Sequence, residues 1–152
     1  MSTVEVTRTI DAPVEAVWRV VTDVPGRAGW LSAVRRAELR TPGPFRAGTV
    51  WAETRTAAGG DPVTEEFRVL SAVAPSRFEV TSPGIGADYR MTYTFAPITA
   101  GRHGGGTLVT VTQEGTPTAP AGRFLAWIFG GLAAESAEGA LRRDLDDLAA
   151  AA

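Results

Sequence analysis

The chain has no cysteine and no lysine among its 152 residues, and its one histidine is His103. Without cysteine there is no disulfide framework and no thiolate chemistry. Without lysine there is neither a Schiff base nor a P-loop, because both need that amine. One histidine, with no carboxylate cluster at ligand spacing, is a poor supply of metal ligands. We therefore expect no metal and no cofactor.

The chain has no excess of positive charge, since it contains 15 basic and 17 acidic residues and its net charge is −2. A nucleic-acid groove usually carries a clear positive excess, so we expect no nucleic-acid partner. Residues 1–5 lack the basic and apolar segments of a secretory signal, which predicts a cytoplasmic protein. The most apolar stretch, residues 124–134, is about half of the ~20 residues that span a bilayer, so no transmembrane segment is expected.

Most of the chain carries strand signals. Val4, Val6 and Ile10 alternate with polar residues, which predicts a half-buried strand. A helix is expected to begin near Pro13, and a second short helix or turn is expected at residues 25–31. Further strands are predicted at residues 34–40, 49–56, 63–73, 77–82, 89–95 and 108–114. Hairpin-length connections make this sheet antiparallel, because parallel strands would need helices between them.

The pattern changes after Pro120. Residues 121–151 lack proline and are rich in Ala, Leu, Glu and Arg, which predicts a helix of about 30 residues. Its apolar face is formed at spacings of three and four by Phe124, Trp127, Gly131, Ala134, Leu141, Leu145 and Leu148. The sequence thus predicts a single α+β domain at residues 1–152. It has about seven antiparallel strands, two short helices after strand 1 and a long C-terminal helix.

Local segments agree with this order of elements. They are residues 10–18, Asp23 with Trp30, and residues 45–49, 74–78 and 105–111. Their order and spacing resemble the START-like (SRPBCC) superfamily, specifically its bacterial polyketide cyclase/dehydratase and lipid-transport group, over nearly the whole chain. The resemblance implies a helix-grip fold, in which the curved antiparallel sheet surrounds the long C-terminal helix and an apolar ligand cavity lies between them. It does not settle function, because that superfamily includes lipid carriers, hormone binders, aromatase/cyclases and quinone-binding chaperones.

The polar residues of the C-terminal helix are the first site candidates. Glu138 lies seven positions after Gly131 and seven before Leu145, on the apolar face, and Glu135 lies at the edge of that face. A carboxylate facing an apolar interior is costly unless it is paired or protonated. Glu138 is therefore a candidate ligand anchor or general acid/base. In the alternative, the helix is rotated and the carboxylate reaches solvent or an arginine.

The predicted sheet supplies further candidates. If Met91, Tyr93 and Gln113 share the concave face, Tyr93 and Gln113 are polar points in an apolar site. Otherwise the tyrosine is ordinary core and the glutamine is solvated. Arg90, like Arg68, is either a carboxylate clamp or an outward-facing charge. The expected apolar walls are Trp30, Trp51, Phe67, Phe124, Trp127 and Ile128. His103, in a glycine-rich loop, is expected in solvent.

Three functions remain open on these grounds. The favoured one is binding or transport of a hydrophobic small molecule of lipid, polyketide or quinone type. The second is a polyketide cyclase/dehydratase-type enzyme, with Glu138, Tyr93 and Arg90 as acid/base candidates. The third is an interaction module, in which residues 124–129 form an apolar patch for a partner subunit, for example in a homodimer. The first is favoured because few ionisable residues fall on the expected cavity positions.

Overall fold

The structure is a computed structural model that describes residues 2–56, 60–83, 87–117 and 133–152, without the side chains of residues 2, 87 and 133–136. Strand β1 and helix α1 open the chain, and a 3-10 turn and the four-residue helix α2 follow. Strands β2 to β7 come next, and helix α3 closes the chain. The bounds are β1 Ser2–Ile10, α1 Val14–Thr22, the turn Val24–Gly26, α2 Arg27–Trp30, β2 Val34–Leu39, β3 Val50–Thr56, β4 Pro62–Val73, β5 Arg77–Pro83, β6 Ala87–Pro97, β7 Thr107–Pro117 and α3 Ala133–Ala151.

The seven strands form one sheet in the order β1-β7-β6-β5-β4-β3-β2, and every neighbouring pair is antiparallel. Strands β2 to β7 follow one another as hairpins, and β1 joins the far edge beside β7. Val109 and Val111 are fully buried, whereas Leu108 is exposed, so alternate residues of β7 face opposite sides. The predicted antiparallel sheet is confirmed, and its buried side is called the inner face below.

Helix α3 covers the inner face and packs chiefly against β1. Leu141, Leu145 and Leu148 are buried, at the spacings of four and three that the sequence predicted. The helix-grip arrangement is therefore confirmed. Residues 118–132, which include the first part of the predicted helix, lie outside the described residues. No helix among the described residues is long and apolar enough to cross a membrane.

Aromatic rings fill one end of the space between sheet and helices. Helix α1 buries Val17 and Val21 and directs Trp18 at this end. The Trp18 ring meets Phe45, Phe78 and Phe95 edge to face, with centroids 6.2, 5.8 and 5.7 Å away. This aromatic cluster is part of the buried core of the domain.

Candidate functional site

Glu53 on β3 is the most deeply buried acid on the inner face, with 0% of its side chain exposed. Its Oε1 accepts hydrogen bonds from Arg27 Nε at 2.6 Å and from Trp51 Nε1 at 3.3 Å. Its Oε2 accepts one from Arg55 Nε at 2.7 Å. Trp51, Glu53 and Arg55 are alternate residues of one strand, which is why their side chains point to the same side. Three donors thus compensate the buried carboxylate.

Arg55 extends this network to the C-terminal helix. Its Nη1 donates to Asp144 Oδ1 at 3.2 Å, and its Nη2 lies 2.9 Å from Asp144 Oδ2, which is a bidentate pair. Asp144 follows Leu141 by three residues and precedes Leu148 by four, so it shares their sheet-facing side. Arg27, Glu53, Arg55 and Asp144, which we call the ionic cluster, therefore join α2, β3 and α3.

Burial and the neighbouring charges shift the pKa values of three members of the ionic cluster. Burial alone would raise the pKa of Glu53, but the charges and hydrogen bonds of Arg27 and Arg55 outweigh burial and hold it below the usual 4.5. Burial likewise opposes the charge of Arg55, yet Asp144 and Glu53 raise the pKa of its guanidinium. Burial raises the pKa of Asp144, and the facing Arg55 only partly offsets this effect. The site therefore holds two arginines and two acids in contact.

Two tryptophans flank the guanidinium of Arg27. Its central carbon lies 6.0 Å from the Trp30 ring centroid and 5.3 Å from that of Trp51, both within cation–π range. The Nε1 of Trp30 is buried and has no hydrogen-bond partner in the part of the chain that the structure describes. An unpaired buried donor costs about 1–3 kcal/mol, so the orphaned N–H is a notable feature of this site.

Tyr93 on β6 is the polar residue in the middle of the sheet. Its ring stacks on Phe78, with centroids 4.5 Å apart and planes 14° apart. Its hydroxyl contacts Met91 Sδ at 4.0 Å. Burial, more than any neighbouring charge, raises the pKa of Tyr93 to about 12. Met91 lies opposite Gln113 of β7 in register, so Met91, Tyr93 and Gln113 share the inner face.

A second acid lies on the inner face beside the ionic cluster. Glu65 of β4 is half-buried and stands opposite Glu53 in the β3–β4 pairing. Burial raises the pKa of Glu65, and the Glu53 charge adds to that effect while Arg55 opposes it. Burial and the charge of Glu65 together raise the pKa of Tyr89 on β6. The inner face therefore also holds a carboxyl that accepts a proton more readily than an ordinary glutamate.

The structure brings several predicted site residues to this region. Trp51 and Phe67 are buried neighbours on β3 and β4, and their rings stack with centroids 5.2 Å apart. Trp30, Met91 and Tyr93 pack against the buried core, and Gln113 is half-buried beside Val4. This placement settles on which face these side chains lie. Their contact with a ligand remains a prediction.

Other candidates lie elsewhere. The Glu138 side chain is 45% exposed and accepts a hydrogen bond from Arg142 at 3.0 Å, which matches the alternative in which the carboxylate reaches solvent or an arginine. Because it stays in contact with water, this carboxylate avoids the cost of desolvation. Arg90, 54% exposed, lies on the outer face and shares Glu79 with Arg77, so it does not meet the ionic cluster.

The remaining predicted residues are exposed or lie outside the described part of the chain. Arg68 is exposed on the outer face. His103 is exposed as expected, with its Nδ1 3.1 Å from Asp11 Oδ1. The side chains of Phe124, Trp127, Ile128 and Glu135 lie outside the described residues.

Sequence reasoning did not identify Arg27, Glu53, Arg55, Asp144 or Glu65 as site residues. The signal for Glu53 and Arg55 was their even spacing from Trp51, which places all three on one strand face. For Asp144 the signal was its position between Leu141 and Leu148. A lone charged residue is nevertheless assigned to solvent by default, since charged side chains are rarely buried without partners.

Comparisons with known proteins agree with this architecture. The sequence model of the family described as "Polyketide cyclase / dehydrase and lipid transport" matches residues 1–152. The chain therefore belongs to this family, which confirms the resemblance found in the sequence. No curated protein matches the chain.

Several solved structures share the fold. TTHA0849 from Thermus thermophilus is 26% identical with a TM-score of 0.72, and the match covers 99% of each chain. The ZhuI aromatase/cyclase from Streptomyces sp. R1128 is 18% identical with a TM-score of 0.74, over 98% of this chain and 92% of that one. The di-domain ARO/CYC BexL from the BE-7585A biosynthetic pathway is 19% identical with a TM-score of 0.74, over 98% of this chain and 48% of BexL. At such identities the last two likenesses establish the fold alone.

Proposed function

We propose that this protein binds a hydrophobic small molecule, of lipid, polyketide or quinone type, between the inner face of the sheet and the C-terminal helix. The observation that carries the proposal is the hydroxyl of Tyr93. Among the described residues its hydrogen-bond partner is the thioether of Met91, at 4.0 Å. A thioether is a weak acceptor, and the side chain of Tyr93 is half-buried. An oxygen atom of a ligand would therefore be a stronger acceptor for this hydroxyl than Met91 is.

The surroundings of Tyr93 support the same proposal. Apolar side chains dominate, with Phe78 stacked on its ring and Met91 beside it, whereas Gln113 and the ionic cluster add a few polar groups. Mostly apolar walls with a small number of placed polar groups are typical of small-molecule sites. The family description, which names lipid transport and polyketide chemistry, points to ligands of this kind.

A titration with the neutral fluorescent probe N-phenyl-1-naphthylamine tests this proposal. We expect a saturable rise in emission at one probe per chain. Met91→Trp adds an indole on the inner face and should weaken binding by about tenfold or more, because the larger side chain occupies space that the probe needs. Thr110→Trp is the matched control, since Thr110 pairs with Thr7 and Thr94 on the outer face.

Comparing the two variants distinguishes a binding site on the inner face from a general effect of an added tryptophan. Thr110→Trp should bind the probe like the unchanged protein, with circular dichroism showing that both variants are folded. Equal loss in both variants, or probe emission that never saturates, would argue against a site on the inner face.

A second candidate function is a cyclase or dehydratase reaction in the same place. It is favoured by Glu65, whose raised pKa suits proton transfer, and by Tyr93 on the same face. Glu138 and Arg90 do not lie at this site, so Glu65 and Tyr93 are better candidates for proton transfer than they are. If a polyketide-type compound incubated with the protein loses one water, the enzyme is supported. If it returns unchanged, the carrier is supported.

Two further expectations remain proposals. The homodimer and the interaction patch depend on residues 124–129, which lie outside the described residues. A cytoplasmic location also stays a prediction from the sequence.

A further inference from the structure

We infer that the ligand of the inner face is uncharged and presents a hydrogen-bond acceptor, such as a ketone, quinone or ester oxygen, to the indole N–H of Trp30. This inference rests on the proposed function and narrows its ligand class. It separates a neutral oxygenated molecule from a fatty-acid-like anion, although both have large apolar bodies. Two independent observations carry it, namely the charge balance of the site and an unpaired donor within it.

The charge balance of the described residues disfavours an anion. Arginines approach the region between sheet and α3 from three elements, and each already has a carboxylate partner. Arg27 is paired with Glu53 at 2.6 Å, Arg55 is paired with Glu53 and Asp144, and Arg8 of β1 is paired with Asp146 of α3 at 3.1 Å. In the part of the chain that the structure describes, no cation of this region is left for a ligand carboxylate. An anion would therefore be desolvated without a counter-charge, which is strongly unfavourable.

The second observation is the buried Nε1 of Trp30, which has no hydrogen-bond partner among the described residues. An indole nitrogen can only donate, so the complementary group is an acceptor. Tyr93 adds a hydroxyl that can also donate. Arg27 lies near both side chains. Its guanidinium is 6.0 Å from the Trp30 ring centroid. The positive charge of Arg27 is also close enough to work against the rise in the pKa of Tyr93 that burial causes.

Competition between matched probes tests the inference. Anthracene, anthraquinone and anthraquinone-2-carboxylate share one aromatic body and differ in acceptor oxygens and in charge. Each is titrated against bound N-phenyl-1-naphthylamine at a pH where the carboxylate is ionised. We expect anthraquinone to displace the probe at a concentration about tenfold or more below that of its carboxylate, because the anion loses its hydration without compensation. A carboxylate that competes equally well or better would overturn the inference while leaving the proposed function standing.

Failure of the proposed function has a different signature. If the fluorescent probe itself does not bind, or if none of the three compounds displaces it, the inner face binds no such molecule and both proposals are overturned. Displacement by anthraquinone, at concentrations where its carboxylate does not compete, supports both.

Trp30→Phe isolates the donor, because it keeps a ring and removes the N–H. We expect this variant to bind anthraquinone about three- to tenfold more weakly, as the loss of one neutral hydrogen bond predicts. Its affinity for anthracene should be unchanged. Trp18→Phe, the same change in the aromatic cluster, should alter the affinity for neither compound. If Trp30→Phe weakens anthracene as much as anthraquinone, Trp30 is only an apolar wall and the assignment of its N–H is wrong.

Asp144→Asn tests the charge balance directly. The change leaves two arginines against one carboxylate, Glu53, in the ionic cluster. We expect the carboxylate probe to gain affinity relative to anthraquinone, by about tenfold, because the surplus cation offers it a partner. Circular dichroism and the melting temperature establish that the variant is folded. A folded variant with an unchanged preference for the neutral probe would contradict the charge argument.

Discussion

Glu53→Gln is expected to lower the free energy of unfolding by about 3–5 kcal/mol, the usual cost of removing one partner from a buried ion pair. The side chain of Glu53 is 0% exposed and accepts hydrogen bonds from Arg27, Arg55 and Trp51. Glutamine keeps the shape but leaves Arg27, itself buried, without its counter-charge. Urea denaturation near neutral pH measures the effect through the change in midpoint.

The matched control is Glu66→Gln on β4, because Glu66 is exposed and is not part of the ionic cluster. Exposed substitutions of this kind usually change stability by no more than about 0.5 kcal/mol. Similar small losses in both variants would show that the ionic cluster contributes little to stability.

The pH dependence of stability provides a second measurement on Glu53. Its pKa in the folded protein lies below the 4.5 of the unfolded chain. The stability that this depressed pKa contributes is therefore fully present above pH 4.5 and is lost as the pH falls through the folded value. Glu53→Gln should remove this acid-induced loss. Glu65 acts in the opposite sense, because its raised pKa makes the fold less stable as the pH rises above 4.5.

Leu148→Ala carries the second large expected effect, a loss of about 2–5 kcal/mol. Leu148 is 1% exposed in the core between α3 and the sheet, so truncation removes apolar contacts and leaves a cavity. Thermal denaturation followed by circular dichroism, together with urea midpoints, measures the loss. Arg143→Ala, an exposed change on the same helix, should stay within about 0.5 kcal/mol. If the two variants were equally stable, α3 would not be held by the sheet as described.

The fold could be predicted because its signals are local. Val109 and Val111 alternate with more exposed neighbours, and Leu141, Leu145 and Leu148 repeat at helical spacing, so each element indicates its own buried side. Hairpin-length connections then leave an antiparallel sheet as the consistent arrangement.

The ionic cluster could not be predicted in this way, because its partners are far apart in the chain. Arg27 and Glu53 are separated by 26 positions, and Arg55 and Asp144 by 89. A buried charge is recognisable only when its counter-charge is known, and no local pattern supplies that pairing.

Glu138 and Asp144 show the difference most clearly. Both lie on the C-terminal helix close to its apolar positions, and the sequence left open whether Glu138 faces the interior or reaches solvent or an arginine. The structure instead directs Asp144 to the sheet, where Arg55 meets it in a bidentate pair. Glu138 pairs with Arg142 of its own helix and stays half-exposed. The position of a partner on another element decides which acid is buried.

The central claim is that the inner face holds a hydrophobic small molecule. Native mass spectrometry of the protein as purified tests it most directly, since a bound molecule adds its own mass to the chain. We predict a second species heavier by one uncharged apolar compound, which organic extraction removes and which Met91→Trp abolishes. A single species at the mass of the bare chain, unchanged after incubation with excess N-phenyl-1-naphthylamine or anthraquinone, would contradict the account.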